Sequence, residues 1–204
     1  MSDYQTSPVH RVRQVARRAH YDRDTVHAIL DEGLVAHVGF MGAGGPVSLP
    51  MFYVRDGESV LVHGSRTSRF MKTLAEGAPL CLTVTLIDGL VMARSAFHHS
   101  MNFRSVMAHG SAAPVPSEEK PRALDLFTER VEAGRSRVAR AANAIELKAT
   151  EILCLPLIEV AAKVRQGGPN DDAEDMGLPV WAGVVPVTQV LGVPVEWPAG
   201  KVEA

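Results

Sequence analysis

The run His63-Gly64-Ser65-Arg66-Thr67-Ser68-Arg69 gathers an imidazole, three hydroxyls and two guanidiniums into seven residues. Hydroxyl and backbone donors beside a planar guanidinium are what a phosphate monoester needs, and a following helix adds its positive end. The G-x-x-x-x-G-K-[ST] pattern of a nucleoside triphosphate loop is missing. The same residues also make a helix cap carrying two solvated arginines, so the pattern alone leaves both readings open. A second concentration runs from Asp88 to Ser105, alternating as a strand before delivering His98, His99, Ser100 and Asn102 into one turn. Imidazole suits several transition metals, but adjacent histidines on a strand diverge, and neither H-E-x-x-H nor a Cys-rich spacing supplies further ligands. A hydrogen-bonding or structural role is expected for His98 and His99. Trp181, one of two tryptophans, lies in the apolar run Leu178–Pro186. It reads either as a stacking platform for a flat ring or as a rim residue of the core. No G-x-S-x-G elbow supports a serine hydrolase.

The elements that must position these residues are mostly short strands. Asp24 is expected to cap a helix running through Glu32, with Gly33 ending it in a left-handed conformation. Leu34–Phe40, Val47–Val54 and Ser59–His63 alternate between Gly-rich turns and predict a three-strand meander. Ser65–Gly77 carries Phe70, Met71 and Leu74 at helical spacing. Asp88-Gly89 reads as a hairpin turn between Leu80–Ile87 and Leu90–Phe97. Further strands are expected at Phe103–Ala113, Thr150–Leu155, Ile158–Val164 and Pro179–Val190, with a helix capped by Ser117 and stopped near Gly134. Arg165–Gly177 reads as an exposed acidic loop. Strands without regular strand–helix alternation favour an antiparallel barrel over a doubly wound parallel sheet. The expected class is therefore mainly β with α. One domain over residues 21–190 is expected, preceded by an Arg-rich surface arm (1–20) and followed by a tail (191–204).

Composition excludes more than it selects. Of 204 residues, 21 are Lys or Arg and 23 are Asp or Glu, a net charge of -2 that argues against a nucleic-acid footprint. Sixteen of the basic residues are arginine, and all eight histidines fall at or before His109. Cys81 and Cys154 sit in apolar runs, where a thiol acts as a small hydrophobe. No apolar stretch approaches the roughly 18 to 20 residues of a membrane span, and the N-terminus lacks a signal-peptide core. A cytoplasmic protein with no membrane partner is expected.

His63–Arg69, the block Leu82–Val106 and Trp181–Pro186 together resemble the flavin-nucleotide-binding branch of the pyridoxamine 5'-phosphate oxidase-like family. The resemblance implies a Greek-key split β-barrel that forms a homodimer, with FMN in clefts at the subunit interface. It implies that Ser68 and Arg69 hold the FMN phosphate, with His63, Gly64 and Ser65 forming the preceding loop and Thr83 and Thr85 on the strand beside it. Arg104 and Ser105 match the segment lining the flavin, and Trp181 of the partner subunit matches the aromatic residue near the isoalloxazine. The tyrosine that usually precedes Arg-Ser is Phe103 here, which removes a hydroxyl. The C-terminal Arg-x-His of true pyridoxamine 5'-phosphate oxidases is also absent. The expected activity is therefore flavin-dependent oxidoreduction of some other small-molecule substrate. The alternatives are a non-catalytic flavin or haem carrier or sensor, with His63 or His98 serving a haem, and FAD or a deazaflavin in place of FMN.

Overall fold

Period-two alternation dominates the middle of the chain, and β-structure forms where it does. The computed structural model describes residues 3–197. In chain order its elements are β1 (Ala19–His20), α1 (Arg23–Glu32), β2 (Val35–Gly42), β3 (Gly45–Asp56), β4 (Ser59–Ser65), α2 (Arg69–Ala75) and β5 (Pro79–Met92). They continue with β6 (Ser100–Ser111), β7 (Ala113–Pro114), α3 (Lys120–Val131), α4 (Ala144–Ala149), β8 (Thr150–Pro156), β9 (Glu159–Arg165) and β10 (Gly183–Pro186). The strand order is β1-β9-β6-β5-β2-β3-β4-β8-β7, with β10 pairing β5. The meander β2-β3-β4 is the one expected from the sequence, with Val38 opposite Leu49 and Val54 opposite Leu61. The chain separates into two units, Met1–Leu86 with Asn102–Gly167, and Ile87–Met101 with Gly168–Ala204.

The first unit owes its core to two periodicities. On β5, Leu80, Leu82, Val84 and Leu86 are buried while the residues between them are not. On α1, Val26, Ile29 and Leu30 recur at helical spacing and are buried. The cap of α1 is Asp22, two residues earlier than expected, and its Oδ1 accepts the Thr25 N–H at 2.8 Å. Gly33 is extended (φ -68°, ψ 143°) where a left-handed stop was expected. Crowding explains why glycine stands there. A Cβ would lie 2.5 Å from Val84 Cγ1 and 2.8 Å from the Tyr53 hydroxyl, and that fully buried hydroxyl donates to the Leu30 carbonyl at 2.7 Å. Gly33→Ala should therefore destabilise the protein by about 1 to 3 kcal/mol through overpacking. An unchanged urea midpoint would show that α1 can move away from β5 at little cost.

Residues 3–20 are bound more closely than an Arg-rich surface arm. Tyr4 and His10 are each only 5% exposed. The Tyr4 hydroxyl donates to Glu58 at 2.9 Å and lies 3.0 Å from His27 Nε2, and the Arg23 guanidinium sits 4.4 Å from the Tyr4 ring centroid. Burial, and then the Glu58 carboxylate, push the Tyr4 hydroxyl's pKa well above its ordinary value. Ser7 Oγ donates to Glu159 at 2.8 Å, and β1 pairs with β9. Isolated anchors within a polar stretch carry no periodicity, which is why composition hides them.

The second unit overturns the Asp88-Gly89 hairpin. β5 runs straight through both residues, and its end pairs with β10, Gly89 opposite Pro186 and Met92 opposite Gly183. Glycine at 89 serves close approach instead of a turn, because a Cβ there would meet Val184 Cγ1 at 2.8 Å and the Val185 carbonyl at 3.1 Å. The acidic loop is exposed along most of its length, as expected, but one of its acids is held in. The Asp171 side chain is 1% exposed and accepts both the Arg94 N–H at 2.9 Å and the Arg94 guanidinium at 2.7 Å. These bonds, the backbone one foremost, hold its carboxyl below the usual range. His98 Nε2 lies 3.1 Å from Asp172 Oδ2, and His99 Nδ1 lies 2.9 Å from the Ser95 carbonyl. The expected last strand shrinks to β10, and residues 187–197 have no regular structure; the rest of the expected tail, 198–204, lies outside the described residues. No helix among the described residues is long and apolar enough to cross a membrane.

Candidate functional site

Two cavities in the first unit divide the residues singled out by type and spacing. The first, of about 510 Å³, includes Phe52, His63, Leu124 and Phe127 in its wall. His63 stands near the end of β4, opposite Ile152 of β8, and α3 brings Phe127 edge-on to its ring with centroids 4.4 Å apart. No described residue hydrogen-bonds that ring. Burial lowers the pKa of His63 below its ordinary 6.5, so the imidazole is neutral at neutral pH and its nitrogen lone pair is available.

The far wall is held by local chemistry in the segment after α3. Glu129 accepts the N–H groups of Gly134 at 2.6 Å and Ser136 at 3.0 Å, shaping a turn in which Gly134 takes φ 85°. The start of α3 is tied down by Lys120, whose Nζ donates to the Thr150 carbonyl at 2.8 Å and pairs with Glu151 at 3.1 Å. Its cap position is Glu119, not Ser117, and Pro121 falls in the first turn. α4 was not expected from the sequence. Its signal is nevertheless present, because Asn143 and Glu146 form a reciprocal capping box.

The second cavity, of about 570 Å³, is lined by Ser68, Arg69 and Phe70 together with Phe40 and the glycine hairpin joining β2 to β3. The Phe40 and Phe70 rings pack with centroids 5.3 Å apart, tilted at 59°, making one apolar wall. Ser68 precedes α2 without capping it through its side chain, so its hydroxyl stays available, and Arg69 is exposed. Ser65 Oγ lies 2.9 Å from Thr67 Oγ1 and accepts the Thr67 N–H at 3.3 Å, shaping the loop itself. Gly64 lets α2 approach β4, since a Cβ would sit 3.0 Å from Met71 Cγ. His63 and the Ser68–Arg69 pair thus belong to different cavities.

The remaining expected residues line neither cavity. Thr83 and Thr85 lie on the outward face of β5, with Thr83 Oγ1 3.7 Å from Cys81 Sγ. Alternation puts Arg104 and Ser105 on opposite faces of β6. The Arg104 guanidinium grips both carboxylate oxygens of Glu32, one at 2.7 Å, and Ser105 Oγ donates to the Lys163 carbonyl at 3.4 Å. Trp181, in the second unit, is 65% exposed. Both cysteines are free and half-buried.

A family model described as pyridoxamine 5'-phosphate oxidase matches residues 22–164. The chain belongs to that family. Among solved structures it is 40% identical to the flavocytochrome Anf3 from Azotobacter vinelandii, covering 95% of this chain and 91% of that one with a TM-score of 0.90. It is 35% identical to a FAD and heme binding protein from Mycobacterium smegmatis, covering 90% of this chain and 91% of that one with a TM-score of 0.87. A putative 5-nitroimidazole antibiotic resistance protein from Bacteroides thetaiotaomicron, 19% identical over 72% of this chain and 86% of that one, shares the fold with a TM-score of 0.60. No curated protein matches the chain. The fold is the split barrel of flavin-binding pyridoxamine 5'-phosphate oxidase relatives, as its mainly antiparallel strands lead one to expect.

Proposed function

We propose that this member of the pyridoxamine 5'-phosphate oxidase family is a redox protein that binds both a flavin and a haem. The observation that carries the reading is the His63 cavity: a neutral imidazole set in an apolar wall, in a space within the roughly 300 to 1,000 Å³ that small ligands and cofactors occupy. A haem held here would take an imidazole nitrogen for its iron, an apolar surround for its macrocycle and polar groups at one edge for its carboxylates. His63, then Phe52, Leu124 and Phe127, then Arg135 and Arg140, meet these needs in that order. The names of the 40% and 35% identical relatives, a flavocytochrome and a FAD and heme binding protein, support the same pair of cofactors. When bound, the flavin supplies one- or two-electron exchange and the haem one-electron exchange.

The flavin phosphate belongs with Ser68 and Arg69, whose cavity has the aromatic wall and close glycine backbone that such a ligand needs. Of the flavins, FAD is favoured over the FMN expected from the resemblance, because the 35% identical relative is named for FAD. A homodimer remains part of the proposal, supported by the outward apolar residues Met41, Leu49 and Met107 on the strands and by Trp181 standing exposed. Protein purified from cells supplied with a haem precursor should carry flavin absorbance and a Soret band. Mass spectrometry of the released ligands then distinguishes FAD, FMN and a deazaflavin. Protein that takes up flavin but no haemin would overturn the haem half of the reading, and protein that takes up no flavin the other half. Rapid flavin reduction by NADH or NADPH would mark an oxidoreductase acting on a small molecule, and its failure a carrier or sensor.

A further inference from the structure

The His63 cavity is apolar on its walls, yet two guanidiniums, Arg135 and Arg140, also line it. Both are largely exposed, at 54% and 67% of their side chains, so neither is needed to fill the core. Each is matched by an acid from its own segment. Arg135 stands 3.7 Å from Glu132, a loose contact. Arg140 presents its fork to Glu146, with Nη2 2.6 Å from Oε1 and Nη1 3.1 Å from Oε2. Glu146 also accepts the Asn143 N–H at 2.8 Å in the capping box of α4. The Arg140 fork is thus already arranged for a planar carboxylate, and one from the chain itself occupies it.

Resting on the haem reading, we infer that Arg135 and Arg140 recognise the two carboxylates of the tetrapyrrole, and that Glu146 is the internal carboxylate displaced from Arg140 when the ligand binds. The exchange costs little. An exposed ion pair contributes only about 0.2 to 1 kcal/mol, so a carboxylate held at the cavity mouth by a macrocycle already bound against the apolar walls competes well through its high local concentration. The capping box survives the exchange, because the second Glu146 oxygen keeps the Asn143 N–H. The other acid lining the cavity, Asp125, lies on α3 outside this pairing. The site therefore selects a dicarboxylate macrocycle over an esterified or uncharged one.

Soret titrations of the full chain with haemin and with haemin dimethyl ester, both in mild detergent, test this. The native protein should bind the diacid about 10- to 100-fold more tightly, as expected from two charge-assisted contacts partly screened by solvent. Arg135→Ala/Arg140→Ala should bind both forms equally, at the native protein's affinity for the diester. Glu146→Gln keeps an oxygen for the Asn143 N–H but frees the Arg140 fork, so it should tighten diacid binding by about 1.5- to 5-fold, a gain that damage to the fold cannot produce. Equal native affinity for diacid and diester, or no gain in Glu146→Gln, would overturn the inference while leaving the haem reading in place. No Soret band with either porphyrin would overturn the haem reading itself.

Discussion

His63→Ala is expected to abolish haem ligation while leaving the flavin spectrum in place. The substitution removes the one imidazole in the cavity wall and leaves Phe52, Leu124 and Phe127 to offer burial without a ligand to iron. Porphyrin entering that variant should bind weakly and without the sharp Soret signature of an axial nitrogen. Imidazole added in solution should restore the band, since the space vacated beside Phe127 is the shape of the ring removed. Acidity adds a second readout. Burial depresses the pKa of His63 below 6.5, so in the native protein haem affinity should hold as pH falls from 8 through 6.5 and weaken only as pH approaches the lower folded value. Without haem, the unfolded chain takes up a proton at His63 before the folded one does. The apo protein should therefore lose stability as pH falls from 6.5 toward that folded value, and His63→Ala should flatten this part of the profile. Unchanged Soret spectra in His63→Ala would place the ligand elsewhere and sink the assignment.

The strands were legible where one face is buried and the other wet, because that geometry writes itself into alternation at every second residue, as on β5 from Leu80 to Leu86. The departures from the local pattern share a cause. Asp88-Gly89 carries the local signature of a turn, but Gly89 answers to a partner strand nearly a hundred residues later in the chain, and local signals do not contain that partner. Gly33 looked like a helix stop and is instead a point of contact with Val84 and Tyr53. The His63–Arg69 run was legible as chemistry, yet its division into two cavities was not. That division depends on the excursion from α3 to α4, which reaches His63 from far along the chain and whose second helix showed itself only through Asn143 and Glu146. Sequence spacing shows which groups are near one another along a strand; which side of the strand is covered, and by what, is decided by residues that fold over it later.

The same division makes the second prediction sharp. Arg69→Ala should weaken flavin binding by about one to two decades, the loss of a charged hydrogen-bonded contact of roughly 1.5 to 3 kcal/mol. Arg69 is exposed at the start of α2 and forms no ion pair among the described residues, so its removal should leave the urea midpoint unchanged. Affinity measured by flavin fluorescence quenching then reports on the contact itself. Arg69→Lys keeps the charge but loses the planar fork, and should fall between native and alanine. Phosphate recognition also predicts that riboflavin, which carries no phosphate, binds native and Arg69→Ala protein alike. Because the His63 and Arg69 cavities share no lining residue, His63→Ala should leave flavin affinity as it is, Arg69→Ala should leave haem affinity as it is, and the double variant should show both losses unaltered. Native-like flavin affinity in Arg69→Ala would remove the phosphate from this cavity and direct attention to the outward face of β5 and β6, where Thr83, Thr85 and Ser105 lie.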